Sequence, residues 1–473
     1  MKQLKLSGSF VLILLLCCGE RKTSQQFFVV TATTKATPRQ TGAFLDSLSR
    51  DTFNFFWELA EPSNGNQPDR WPTPSFSSIA ATGFGLTSYL IGVERKYVTR
   101  EQAAERTLKT LTFFSKAPKG NQESGVTGYK GFFYHFIDPK TGLRFRQVEL
   151  STIDTGLLMA GILSCQTYFD GNSETEKSIR AISDSLYRAV DWEWAMNGKE
   201  TMSMGLHPER NFLDAQWRGY NEAMVLYIMA IASPTHPVSP GSWQAWTKTY
   251  QWANYQGFDY VNFGPLFGHQ YSQMFIDFRG IKDSYMAEKG IDYFENSRRA
   301  TLANRTYCIK NAIGFVGYSD TFWGLTACDG PGNEGKVNPN ISFEGYSARG
   351  AARFYHNDDG TIAPTAAGGS IPFVPDECIT ALRDMKWKMK DKLYGQYGFK
   401  DAFNLSIIYK NGTQGWFDKD YLGIDQGPIL IQLENYRTGL VWNIMKKSPY
   451  IRDGLKKAGF KGGWLENDTG RHK

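Results

Sequence analysis

Three segments of the chain are apolar on every side of a predicted helix. They are STIDTGLLMAGILSCQTYF from Ser151, NEAMVLYIMAIAS from Asn221 and GIDQGPILIQLENYRTGLVWNIM from Gly423. A helix without a polar face belongs in an interior, because any exposed side would place apolar groups in water. The pattern therefore predicts buried helices at these places, and weaker segments of the same kind begin near Ser78 and near Glu295.

Helices of mixed polarity lie between the buried segments. REQAAERTLKTLTFFSK from Arg100 and ETEKSIRAISDSLYRAVDWEWAM from Glu174 each combine apolar and polar faces. Counted from Ser78, Thr152, Glu222 and Glu295, the first four buried segments begin 74, 70 and 73 residues apart, which is the length of two helices with long loops. Two concentric rings of helices require such an alternation. We therefore predict an all-α fold, an (α/α)6 toroid with long loops and minor β-hairpins at its rim, formed by residues 41–465 as one domain.

The first residues of the chain have the pattern of an export signal. Two lysines precede an apolar run at residues 10–16, which is far shorter than the ~20 residues needed to span a bilayer. Cys17 and Cys18 follow this run and resemble a lipobox. We predict a signal peptide at residues 1–18, a tether at 19–40 and a C-terminal tail at 466–473. The expected protein is a periplasmic or outer-membrane lipoprotein of a Gram-negative bacterium, attached to the membrane only through its lipid. An ordinary secretory signal with two incidental cysteines is the alternative.

Charge and motifs exclude several classes of function. The net charge of +6 comes from single basic residues spread among acids, without the basic stripe that a nucleic-acid backbone requires. The sequence contains no P-loop, no GxSxG motif and no HExxH motif. The other four cysteines are widely spaced and form no CxxC pair, which favours buried thiols. We expect a monomer with no nucleic-acid partner, no cofactor and no metal.

Acidic residues stand at the starts of the three clearest buried helices: Asp154, Glu222 and Asp425. In a ring of antiparallel helical hairpins all inner helices run the same way, so their first turns meet at one mouth. Each acid taken alone is also explained by the helix dipole, which stabilises a carboxylate there by roughly 0.3–1 kcal/mol. Several converging carboxylates, however, supply the general acid and the base that glycoside hydrolysis needs.

Glu222 is the candidate proton donor, although a helix start favours its ionised form. Trp217 and Tyr220, just upstream, would desolvate the carboxyl, and a second carboxylate nearby would raise its pKa further. Asp425 needs no rise in its pKa, because a base works in the ionised form.

Aromatic and polar side chains in the loops are suited to binding sugars. Sugar rings stack their C–H faces on aromatic rings, and their hydroxyls bind polar side chains. For any single aromatic residue a packing role is equally compatible with the pattern. The aromatic candidates are Trp71, Trp217, Tyr220, Tyr271, Trp323 and Trp416, and the polar candidates are Asn221, His269, Gln270, Arg298, Asp329 and Gln426.

Several long blocks resemble one known family. GYNEAMVLYIMAIASPTHP, PLFGHQYSQMFIDFRG, WGLTACDGP and YLGIDQGPILIQLENYRTGLVW, with others between residues 53 and 460, are similar to the glucoamylase-like bacterial glycoside hydrolases that include endo-β-1,2-glucanases, glycoside hydrolase family 144. The resemblance implies an (α/α)6 toroid that hydrolyses β-1,2-glucan with inversion and without a metal. It gives the acid role to Glu222 in YNEAM and matches the base to Asp425 in IDQGP, with Glu149 and Asp154 in ELSTIDT as the other candidates.

Two other functions remain open at this stage. A non-catalytic glycan-binding protein on the same scaffold would keep the aromatic residues but needs no pair of acids. A polysaccharide lyase on a similar toroid would need clustered arginines for a uronic acid, for which Arg298 and Arg299 are the available pair. Residues 335–353 depart from the family pattern, and this rim segment leaves open whether cleavage is internal or from a chain end.

Overall fold

The structure is a computed structural model that describes residues 38–332 and 341–466. The predicted signal peptide with Cys17 and Cys18 lies outside the described residues, as do most of the predicted tether and residues 467–473 of the predicted tail. The first helix begins at Pro38, within the segment predicted as tether. Within the described part of the chain, no helix combines the length and the apolar character needed to span a membrane.

Helices make up most of the regular structure. In chain order they are α1 (Pro38–Glu58), α2 (Ile79–Glu94), α3 (Arg100–Lys116), α4 (Thr152–Tyr168), α5 (Glu174–Arg188), α6 (Trp192–Ala195), α7 (Met224–Ala232), α8 (Gly241–Thr247), α9 (Tyr271–Phe275), α10 (Ser284–Lys289), α11 (Tyr293–Lys310), α12 (Pro364–Gly368), α13 (Pro375–Met389), α14 (Gly423–Thr438), α15 (Leu440–Met445), α16 (Pro449–Lys457) and α17 (Gly463–Glu466).

The strands are short, and all of their pairings are antiparallel. The largest sheet has five strands in the order β3-β4-β6-β7-β8, and another has three in the order β15-β18-β19. The strands are β1 (Arg70–Trp71), β2 (Ser77–Ser78), β3 (Gly128–Tyr129), β4 (Phe132–Tyr134), β5 (Phe136–Ile137), β6 (Leu150–Ser151), β7 (Gly205–His207), β8 (Asn211–Phe212), β9 (Trp252–Tyr255), β10 (Phe258–Val261), β11 (Ala327–Cys328), β12 (Ser347–Ala348), β13 (Gly350–Ala352), β14 (Tyr355–Asn357), β15 (Thr361–Ile362), β16 (Tyr394–Gly395), β17 (Gly398–Phe399), β18 (Phe403–Ile408), β19 (Gln414–Phe417) and β20 (Tyr421–Leu422).

Among the described residues, six helices are buried on nearly all sides: α2, α4, α7, α9, α12 and α14. They pack against one another in sequence, α2 on α4, α4 on α7, α7 on α9, α9 on α14, and α14 on both α12 and α2. The amphipathic helices cover this group, with α1 on α14 and α2, α5 on α4, α16 on α7 and α13 on α12. The prediction of a mainly helical fold with buried and half-buried helices is confirmed.

The starts of the buried helices are fixed by short strands and caps. β2 leads directly into α2, β6 into α4 and β20 into α14. Ser78 and Ser151 cap α2 and α4, because each hydroxyl accepts the N–H of the residue three positions later. These strands pair with strands from other parts of the chain, β2 with β5, β6 with β4 and β7, and β20 with β1, so they direct the first turns of buried helices without being the predicted hairpins.

The regular spacing of buried helices predicted from the sequence is wrong in the second half of the chain. α11, which contains Glu295, is buried along only one face. The corresponding buried helices are α9 and α12, which have five residues each and are too short to give a periodic signal. The long apolar segment from Gly423 is also two helices, since Gly439 adopts a left-handed conformation that ends α14.

Two glycines set the distance between α2 and α4. A Cβ atom on Gly161 would lie 2.1 Å from the carbonyl oxygen of Gly83, and a Cβ atom on Gly83 would lie 2.5 Å from the carbonyl oxygen of Leu157. The two backbones therefore touch directly, and neither helix can accept a side chain at these positions without moving.

Gly161→Ala is expected to lower the free energy of unfolding by about 1–3 kcal/mol, because the added methyl group forces α2 and α4 apart. Gly42→Ala in α1 is the matched control, since a Cβ atom there meets nothing within 4 Å. That control should be neutral or stabilising by up to about 1 kcal/mol. Urea unfolding of both variants measures the difference, and equal effects would show that the contact between α2 and α4 is not tight.

Candidate active site

One cavity of about 400 Å³ opens where buried helices begin. Ser78, Asp154, Glu222, Tyr271 and Ile424, which line it, stand at or beside the starts of α2, α4, α7, α9 and α14. The predicted convergence of helix starts is therefore present. We call this space the central cavity, and its charged lining residues are Asp69, Arg70, His135, Asp154 and Glu222.

Glu222 lies in a turn two residues before α7, so it precedes the first helical turn in which the sequence placed it. Its backbone is fixed by Ser272 of α9, whose hydroxyl donates to the Glu222 carbonyl oxygen at 2.6 Å and accepts the N–H of Val225 at 3.0 Å. These two hydrogen bonds connect the starts of α7 and α9. The carboxyl is thereby held at the wall of the cavity.

Burial raises the pKa of Glu222 from its ordinary value of 4.5 to about 7. A hydrogen bond from its own backbone N–H lowers the pKa, and the negative charge of Asp154 raises it. A change of this size corresponds to roughly 3 kcal/mol, which exceeds the roughly 0.3–1 kcal/mol that a helix dipole contributes. The carboxyl is therefore substantially protonated at neutral pH, as a proton donor requires.

The side chain of His135 lies between the carboxylates of two acidic residues. Its Nδ1 is 2.8 Å from Oε1 of Glu149, and its Nε2 is 3.5 Å from Oδ1 of Asp154. Burial lowers the pKa of His135, but the charges of Asp154, Glu149 and Asp69 outweigh burial and raise it to about 9. The imidazole is thus a cation at neutral pH, and it holds Asp154 beside Glu222.

The carboxylate of Glu149 is paired with His135. Burial opposes its ionisation, but the hydrogen bond and the charge of His135 overcome burial and lower the pKa of Glu149. A carboxylate with a low pKa is a weak proton acceptor. The arrangement therefore favours the other two candidates, Asp154 and Asp425, as the base.

Asp425 is 3% exposed, and its neighbours Leu422 and Ile424 line the central cavity. Burial raises the pKa of Asp425, although the carboxyl of Asp401 lowers it through a hydrogen bond. The expectation that Asp425 has an ordinary pKa is therefore wrong. The two carboxyl groups therefore share a hydrogen bond, which requires that one of them carries the proton.

A group of acids lies beside Asp425. Carboxylate oxygens of Asp329, Asp401 and Asp418 lie within 4.8 Å of one another, and this is the group within residues 38–332 and 341–466 that could hold a metal ion. Arg70 donates to Oδ2 of Asp329 at 2.6 Å, which offsets part of the negative charge. Burial and neighbouring carboxylates raise the pKa of Asp401 and Asp418.

Aromatic side chains form the apolar walls of the central cavity. The rings of Phe76 and Phe136 lie 4.0 Å apart, and those of Phe267 and Tyr271 lie 5.5 Å apart. Tyr346 also lines the cavity and is 57% exposed. Such walls can stack on the C–H faces of sugar rings.

A second cavity, of about 630 Å³, adjoins the first, and we call it the side cavity. Glu222 and Phe267 line both cavities. The predicted substrate contacts Trp217, Tyr220 and Asn221 line the side cavity. Trp217 and Tyr220 are only 7% and 5% exposed, so they mainly exclude water from the neighbourhood of Glu222.

Four predicted substrate contacts are instead packed in the interior. Gln270 donates to the Ala366 carbonyl oxygen at 2.9 Å and connects α9 to α12, and Gln426 donates to the Phe399 carbonyl oxygen at 2.7 Å. His269 and Trp323 have no exposed surface, and burial lowers the pKa of His269 to about 4. Their assignment to substrate is wrong for a common reason, because the side chains are used inside the protein.

Four more assignments are corrected by position: Arg298, Trp71, Trp416 and Asp329. Arg298 pairs with Glu295 at 2.6 Å on α11, and Arg299 pairs with the same carboxylate at 2.8 Å, so this pair does not supply the arginine cluster of a lyase. Trp71 packs against the rings of Tyr397 and Tyr421. Trp416 packs against the small apolar cluster formed by Cys328, Ala363 and Ala402. Asp329 lies near the site, but its carboxylate forms an ion pair with Arg70.

Sequence reasoning missed residues that reach the central cavity from distant loops. Arg70 lies 259 positions from its partner Asp329, which was a predicted site residue, and no local pattern connects the two. Phe76, Phe136 and Tyr346 had no periodic signal. Two signals were available in the sequence. One is the aromatic cluster FFYHF, which contains His135, and the other is the altered rim segment, which contains Tyr346.

Comparison with known proteins gives matches over nearly the whole chain. Residues 214–449 match the family model "Glycoamylase: Putative glucoamylase". A "putative glucoamylase" of Bacteroides uniformis ATCC 8492, of known crystal structure, is 34% identical, with 92% of this chain and 100% of that chain covered and a TM-score of 0.78. The endo-β-1,2-glucanase of Chitinophaga pinensis is 31% identical, with 90% and 99% covered and a TM-score of 0.77.

A curated relative is the exo β-1,2-glucooligosaccharide sophorohydrolase (non-reducing end) of Parabacteroides distasonis. It is 30% identical over 462 residues, which include 90% of this chain. The chain spans 59% of the length of that relative.

Proposed function

Because the chain belongs to the glucoamylase-like family that these relatives represent, we propose that it is a glycoside hydrolase that cleaves β-1,2-glucan. The endo-β-1,2-glucanase and the sophorohydrolase among its relatives support the choice of linkage. The single observation that supports catalysis most strongly is Glu222, a carboxyl with a pKa of about 7 at the wall of a cavity lined with aromatic rings.

The six buried helices are the inner ring of an (α/α)6 toroid in this proposal. Their sequential packing and the amphipathic helices outside them support two layers. In such a toroid the inner helices run in the same direction, which accounts for the carboxyl groups at their starts sharing one cavity.

Glu222 acts as the general acid. Its protonated carboxyl gives a proton to the glycosidic oxygen as the bond to the anomeric carbon breaks. The charge of Asp154 opposes the ionisation of Glu222, and His135 pairs with both Asp154 and Glu149. A sugar bound against the aromatic walls would exclude further water and favour the protonated form.

Asp425 acts as the base that takes a proton from the attacking water, directly or through one bridging water. Its raised pKa makes its ionised form a better proton acceptor than an ordinary aspartate. Attack by water on the face opposite the leaving group inverts the anomeric centre. Asp154 is the second candidate, because it lines the central cavity together with Glu222.

The wild-type protein is expected to release oligosaccharides from β-1,2-glucan in a screen that also contains β-1,3-, β-1,4- and α-glucans. Glu222→Gln should lower kcat by about 10²- to 10⁴-fold, because the amide cannot donate the proton. Since the acid must be protonated, wild-type kcat should fall as pH rises through about 7.

Glu174→Gln is the matched control for this variant, since its side chain is 89% exposed and pairs only with Lys177. It should retain the wild-type rate and pH profile. Full activity of Glu222→Gln on the glucan that the wild type cleaves would refute the acid role.

Asp425→Ala should lower the rate by about 10²- to 10⁴-fold, and added azide should restore part of it, because the small anion attacks without needing a base. Asp154→Ala should lose activity without azide rescue, since its carboxylate positions the acid instead. Both variants are first compared with wild type by circular dichroism. Rescue of Asp154→Ala alone would transfer the base role to Asp154.

A further inference from the structure

The two cavities share part of their walls at the proposed acid. Glu222 and Phe267 belong to the lining of both. The side cavity, with a volume of about 630 Å³, lies in the range of about 300–1000 Å³ that ligand pockets occupy. A polymer that passes Glu222 would therefore extend from the central cavity into the side cavity.

The outer wall of the side cavity is the hairpin of β13 and β14. Gly350 pairs with Asn357 and Ala352 with Tyr355, which leaves Arg353 and Phe354 as the turn. Ala352, Phe354 and Tyr355 all line the side cavity.

Contacts with the loop at residues 262–265 hold this hairpin in place. The N–H of Arg353 donates to Oδ1 of Asn262 at 3.0 Å. A Cβ atom on Gly264 would lie 2.2 Å from the ring of Tyr355, and one on Gly350 would lie 2.4 Å from the backbone of Gly264. The turn is thus carried by a hairpin packed closely on the rest of the protein.

Phe354 is 59% exposed at the tip of this hairpin. A buried phenylalanine would contribute to the core, whereas this ring faces a cavity and contributes little to packing. A large exposed aromatic on a well-anchored turn beside a cavity is typical of a ligand-binding surface. Gln251 in the same lining offers hydrogen bonds to hydroxyl groups.

We propose that Phe354 is a stacking platform for the glucose units that lie beyond Glu222, so that one glucan chain occupies both cavities. The inference rests on the proposed function. It identifies the preferred substrate as a chain with several units on each side of the cleaved bond. Phe354 contributes to binding and does not take part in the chemistry.

The test compares kcat/KM on long β-1,2-glucan with kcat/KM on the shortest β-1,2-linked oligosaccharide that the wild type cleaves. Phe354→Ala should lose about 3- to 10-fold on the long chain, the range expected for one aromatic contact, mainly through KM. On the shortest substrate the loss should stay under about 2-fold. Phe354→Trp should restore the long-chain value, because a ring is again present.

Trp387→Ala is the control, since Trp387 is 76% exposed on α13 and should leave both values unchanged. Unchanged long-chain kinetics for Phe354→Ala, or equal losses on both substrates, would overturn the platform while the proposed hydrolase stands. A wild-type protein that cleaves neither substrate would overturn the proposed function itself, and the platform with it.

Discussion

Burial of carboxyl groups at the starts of packed helices is the constraint on which the site depends. The starts of α2, α4, α7, α9 and α14 meet at one cavity, so charges that would be harmless on a surface are forced together in a poorly hydrated space. Ionisation there is costly unless a counterion is present. The packing of the helices therefore sets the pKa values of these acids before any substrate binds.

Two neighbouring groups of residues show the two outcomes of this constraint. Glu149 and Asp154 share the cation His135, and the pKa of Glu149 is lowered. Glu222 has no such partner among the described residues, and burial together with Asp154 raises its pKa to about 7. The site thus contains carboxyl groups whose pKa values are shifted in opposite directions by their surroundings.

The sequence predicted those parts of the fold and site that have a local signal. The all-round apolar segments predicted α4, α7 and α14, and the acids at their starts are Asp154, Glu222 and Asp425. The five-residue helices α9 and α12 were too short to show a period. His269 and Gln426 are polar residues in loops or at helix starts, and only packing reveals that they bond inside the protein.

The central claim is that Glu222 carries its proton into the neutral pH range. Infrared difference titration of the wild type against Glu222→Gln isolates the carboxyl C=O band of this residue. The account predicts that the band disappears with a midpoint near pH 7. A midpoint near the ordinary value of 4.5 would contradict it, because Glu222 would then be ionised at neutral pH and unable to donate a proton.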